Sequence, residues 1–109
     1  MGQYHLLFNL DKKEYIHAHK INNGLKLMEQ CGHRKSTSTA LWLLVANSNG
    51  RGGGDANEHP MIGRWAGDRI LVQGDYAEFT DKANLSEAKR EKFTDISKKV
   101  NEMLAAQNL

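Results

Sequence analysis

Arg51, Gly52, Gly53, Gly54 and Asp55 are the densest group of chemically suggestive residues in this chain. With Gly50 they place four of the ten glycines in five consecutive positions, beside one arginine and one aspartate. Glycine is the costliest residue to order, so such a run either moves freely or lies where a backbone passes too close to something for a Cβ. Consecutive backbone N–H groups in such a turn can form a concave nest for an anion, and Arg51 would add charge to it. A phosphate-bearing ligand or nucleotide is the natural guest. Arg64 and Arg69 would neutralise it, Asp75 would contribute a carboxylate, and Trp65 or Tyr76 would stack on a base. The spacing matches neither a P-loop nor a dinucleotide fingerprint. The plainer readings are a solvated connection, or a turn pinned by Arg51 pairing with Asp55 or Asp75.

His17 and His19 form a second group. Two positions apart on a strand, their imidazoles face the same way and could share a metal ion. A third ligand would come from His5, His59 or Asp75, and no local metal motif supports the set. Asp55, Asp68 and Asp75 could act as paired carboxylates, although aspartate beside glycine is what tight turns require. Trp65 between Arg64 and Arg69 reads equally well as a core tryptophan with arginines reaching past it to water. Ser36, Ser38 and Ser48 lack a nucleophile context. Cys31, the one cysteine, reads as a small buried side chain. No motif names a cofactor.

Positioning these residues falls to short elements. Tyr4, Leu6, Phe8 and Leu10 alternate with His5, Leu7 and Asn9, which predicts a strand. Asp11-Lys12-Lys13 makes a turn, and Glu14 to Lys20 alternates again, so the two segments predict an antiparallel hairpin. Leu25 to Gln30 has the pattern of a short helix. Ser36 to Thr39 precede an apolar run from Ala40 to Ala46, a capping signal that predicts a largely buried helix stopped by Asn49-Gly50. Met61–Trp65 and Arg69–Gln73 read as short strands around an Ala66-Gly67-Asp68 turn. From Leu85 onward, Ala88, Phe93, Ile96, Val100, Met103 and Leu104 form one apolar stripe, with Asn84 and Glu87 as a capping box and Thr94-Asp95 as a second cap where the helix would break. The expected fold is α+β: a small antiparallel sheet of about four strands, a buried central helix and an amphipathic C-terminal helix.

At 109 residues, with 39% hydrophobic and 26% charged residues and a formal charge of +2, the chain predicts a single domain of residues 1–109. Its basic clusters are short, so nucleic-acid binding is not favoured. No stretch approaches the roughly 20 apolar residues that span a bilayer. The N-terminal alternation lacks a basic leader, which predicts a cytoplasmic protein. Such a small domain leaves much surface exposed, which favours a homo-oligomer or a partner.

Asn9-Leu10-Asp11-Lys12-Lys13-Glu14-Tyr15-Ile16-His17-Ala18-His19, Asn49 to Asp55, Gly63 to Ile70, Gly74-Asp75-Tyr76 and Phe93-Thr94-Asp95-Ile96-Ser97 resemble, in that order, a family of short hypothetical proteins of bacteria and bacteriophages. The resemblance covers most of the chain, which is shorter than family members between the last two segments. It implies kinship rather than a chemistry. A bacteriophage setting would imply binding to a host factor. Three functions are therefore expected, in descending order. The first is a binding protein for a phosphate-bearing ligand. The second is an interaction factor that inhibits or redirects a host protein or nucleoprotein complex. The last is a metal-dependent hydrolase using His17 and His19, the balance leaning away from an enzyme.

Overall fold

Asn9 starts the sheet. Its side chain is fully buried, and its Oδ1 accepts hydrogen bonds from the N–H groups of Asp11 at 2.9 Å and Lys12 at 2.7 Å. An asparagine that bonds its own backbone two and three residues on makes a tight turn. Here that turn joins β1 (His5–Asn9) to β2 (Glu14–Ile16) as an antiparallel hairpin. The computed structural model describes residues 3–21, 26–31, 34–48, 55–77 and 83–107. β3 (Ile70–Gly74) pairs antiparallel with the other side of β1, and β4 (Thr94–Asp95) pairs parallel with β2. The order is β3-β1-β2-β4. The fold is therefore α+β with a four-stranded, mostly antiparallel sheet, as the sequence predicts, except for its one parallel edge.

Leu7 and Ile16 sit opposite each other and face the core. Above them pack α1 (Thr37–Val45) and α3 (Ser97–Ala105). Ser36 caps α1, its Oγ accepting the N–H of Thr39 at 3.2 Å. Thr37, Ala40 and Leu44 form the buried stripe of α1, while Trp42 points away and is 79% exposed. In α3 the stripe is Ser97, Val100, Met103 and Leu104, at the helical spacing of a core-facing helix.

Three local expectations are corrected. Met61–Trp65 is not a strand but a run of tight turns, with N–H to C=O bonds from Ile62 to His59, Arg64 to Met61, Ala66 to Gly63 and Asp68 to Trp65. Gly63 and Gly67 take positive φ there, at 83° and 79°, and the free N–H groups of Gly63 and Trp65 reach the carbonyls of Leu43 and Leu44. That contact ends α1 at Val45; the Asn49-Gly50 stop lies outside the described residues. The Glu14–Lys20 strand ends at Ile16 and continues as a 3₁₀ turn, Ala18–Ile21, which buries Ala18 and Ile21. The C-terminal helix breaks at Thr94-Asp95 as expected, but the break is a strand, β4, rather than a cap, and it separates α2 (Glu87–Arg90) from α3. Ser86, rather than Asn84, caps α2 by accepting the N–H of Lys89.

The back of the sheet carries Leu6, Phe8, Tyr15, Leu71 and Gln73, which are paired in register across β1, β2 and β3. Gln73 ties the chain before α2 to this face. Its amide donates to the carbonyl of Leu85 at 3.0 Å and accepts the N–H of Leu85 at 2.7 Å.

Candidate functional site

The expected phosphate site divides between what lies outside the described residues and what the fold has already engaged. Arg51, Gly52, Gly53 and Gly54 lie outside them, and Asp55, which follows, is exposed. Arg64 forks onto Glu14, its Nε 3.0 Å and 3.1 Å from the two carboxylate oxygens. Trp65 is 0% exposed and donates its indole N–H to the same carboxylate at 2.8 Å. Burial alone would raise the Glu14 pKa, but the hydrogen bonds from Arg64 and Trp65 and the Arg64 charge outweigh it and hold the carboxyl below its usual value. Arg69 pairs with Asp11, Nε to Oδ1 at 2.9 Å. Asp68 takes Asn9 Nδ2 at 2.9 Å together with Lys12 Nζ. Trp65 is thus a core side chain with no ring face open to a base, and Arg64 and Arg69 already hold carboxylate partners. Asp75 accepts the N–H of Tyr4 at 3.0 Å, which pins the end of β3. Tyr76 alone in the expected stacking pair is open, at 64%. Asn9 and Glu14, the two side chains that organise this region, carry no signal in the sequence beyond lying in a polar hairpin. The side chains they bind, Asp68 and Arg64, are 50 or more positions away.

His17 and His19 stay close although the strand ends before them, with ring centroids 5.9 Å apart. Burial, then the neighbouring His19 and Lys20, push the His17 pKa down against the opposing pull of Asp95, so the ring favours its neutral form. Neutral imidazole is the metal-binding form. Among the described residues, however, no three His, Cys, Asp or Glu side chains gather to hold an ion.

A cleft of about 380 Å³ lies on the back of the sheet, under α2. Phe8 is buried at its floor, with Phe93 edge-on at 5.5 Å and Tyr15 tilted at 5.7 Å. His17, Glu87, Arg90 and Glu91 line the rest. His17 Nδ1 and Arg90 Nε are closed to water and have no hydrogen-bond partner among the described residues. Leaving such a group unsatisfied costs about 1–3 kcal/mol. Arg90 forms none of the ion pairs found among the described residues, although Glu87 and Glu91 are on the same turn.

The front of the molecule has a smaller apolar groove of about 140 Å³ between α1 and the β3 edge, lined by Leu7, Leu27, Cys31, Ser38, Leu41 and Val72. Cys31 is exposed there rather than buried. Ser38 also borders a separate hollow beside Trp42, so the two depressions adjoin at that residue. Next to it, Met28 is 76% exposed. A third cleft of about 300 Å³, at the end of α1, is lined by Asn47, Ser48, Glu58, His59 and Gly63 among others.

No described helix is long and apolar enough to cross a membrane. No family model matches the chain, and no curated protein or solved structure is significantly similar to it.

Proposed function

We propose that the chain is a protein-interaction factor whose docking surface is the outer side of α1 with the apolar groove beside it. The observation that carries this reading is Trp42, a large apolar ring 79% exposed in mid-helix. Scattered exposed apolar side chains are ordinary on a small domain, but a contiguous group of them marks a contact site. Leu27, Leu41 and Val72 line one groove and Trp42 a hollow that adjoins it at Ser38, and tryptophan is among the side chains most enriched as anchors of protein interfaces. Exposed Lys26, Arg34 and Lys35 lie at the ends of the flanking turn and of α1. A partner segment with an apolar anchor and acidic neighbours complements that surface. The resemblance of its motifs to short bacterial and bacteriophage proteins would imply a host protein as partner.

The ligand-nest reading has less support, because Arg64 and Arg69 already hold Glu14 and Asp11. The hydrolase reading lacks a third metal ligand among the described residues. The test is affinity capture from bacterial lysate with the wild-type chain, Trp42→Asp, and Lys98→Glu on the exposed side of α3, read by mass spectrometry. A protein held by the wild type and by Lys98→Glu but lost by Trp42→Asp supports the reading. The same protein retained by Trp42→Asp sinks it. A captured set containing only copies of the chain itself would make this face a homo-oligomer contact.

A further inference from the structure

We infer that the cleft under α2 is a binding site for a planar heteroaromatic ring of the nucleobase class, presented as a free base or nucleoside without phosphate. Its volume of about 380 Å³ falls within the range of small-ligand pockets. The aromatic surfaces are already arranged. Phe8 closes the floor, and the rings of Tyr15 and Phe93, which also line the cleft, pack against it at 5.7 and 5.5 Å. A flat ring gains by lying against such walls, whatever its sequence of substituents.

The polar groups select the ring's chemistry. Arg90 lines the cleft yet pairs with neither Glu87 nor Glu91, and its Nε lacks an acceptor among the described residues. A ring nitrogen or carbonyl in the cleft supplies one, because the long Arg90 stem can turn the guanidinium toward it. Glu87 and Glu91, one turn apart on the same rim, accept from exocyclic N–H groups. Acceptor and donor edges on one flat neutral ring are what a nucleobase offers. The same rim sets one guanidinium against two carboxylates, with His17 favouring its neutral form, so it repels phosphate. The ligand is therefore distinct from the phosphate-bearing guest expected of the glycine-rich segment, and it does not depend on the docking face around Trp42.

The test is an amide NMR titration of the ¹⁵N-labelled chain with adenosine as the probe and adenosine monophosphate as comparator. Adenosine is expected to shift amides of Phe8, Tyr15 and Phe93 while leaving α1 unmoved. Arg90→Leu is expected to weaken that binding at least tenfold without lowering the melting temperature. The nucleotide is expected to bind more weakly than the nucleoside. The double variant Glu87→Lys, Glu91→Lys should reverse that order. Adenosine that shifts nothing at millimolar concentration overturns the inference. So do shifts that persist unchanged in Arg90→Leu, or a wild-type preference for the nucleotide.

Discussion

On the front of the sheet, Glu14 lies beneath Trp65 with both carboxylate oxygens engaged by Arg64 and the indole. On the back, His17 Nδ1 and Arg90 Nε are equally closed to water but have no partner among the described residues. Both faces belong to the same two strands, and Tyr15 and Glu14 are neighbours in sequence. The difference lies in the covering layer. The front is sealed by α1, α3 and the turns of residues 61–67, whose backbone N–H groups also complete the end of α1. Among the described residues, the back is covered by one four-residue helix held largely by Gln73. Under the thick layer the Glu14 carboxylate is satisfied by the protein itself, although Thr37 Oγ1 on α1 has no partner among the described residues. Polar groups under a thin layer can be satisfied by something that arrives.

The comparison breaks most visibly at its front. Trp65→Ala is expected to cost about 3–5 kcal/mol, and it also leaves Glu14 short of a donor; urea unfolding should register it directly. Gly63→Ala comes next. A Cβ there would meet the Ala46 carbonyl oxygen at 2.8 Å in a left-handed conformation, so its loss should exceed the ~1–2 kcal/mol of conformational strain alone. Gly67→Ala has no such neighbour, so the same unfolding measurement should show it bearing the strain only. Equal losses at the two positions would remove the 61–67 turns from the account of how α1 ends.

Acid separates the two faces. His17 has its folded pKa lowered from the usual 6.5, so its contribution is present above that value and is lost as pH falls toward the lowered one. Glu14 is lowered from 4.5, so its contribution persists until pH falls below that value and through the lowered pKa. In melting curves across pH 3–8, His17→Gln should flatten the fall that begins near 6.5, and Glu14→Gln the one that begins near 4.5. A single transition untouched by His17→Gln would place no buried neutral imidazole on the back face. The smallest loss is expected at Arg90. Because its Nε has no partner to lose among the described residues, Arg90→Leu should leave the fold at least as stable in urea titration, by relief of an unsatisfied buried group. A large loss would mean that the arginine already serves the fold.

The sequence made the β1–β2 hairpin legible through alternation, and α1 through the Ser36 cap, because both signals are local. Residues 61–65 misled for a physical reason. Met61, Ile62 and Trp65 have the composition of a strand, but Gly63 is placed to let its backbone approach α1, which depends on a helix some 20 positions earlier. The arginines misled in the same way. Nothing near Arg64 announces Glu14, and nothing near Arg69 announces Asp11, so charges that look available to a ligand were already matched across the chain. The back cleft left no local trace, since it joins Phe8, Tyr15 and Phe93 from three separate elements. Cys31 reads as filler and lies on the rim of an apolar groove, since that groove is formed by residues distant in sequence.

The two tryptophans also make the molecule its own optical instrument. Trp65 lies in a dry interior against a carboxylate, and Trp42 stands in water on the outside of α1. Their emission should therefore separate into a blue component shielded from acrylamide and a red one that the quencher reaches. Unfolding turns the first red, whereas occupation of the α1 face turns the second blue. A single emission spectrum thus distinguishes a chain that has come apart from one that has found company.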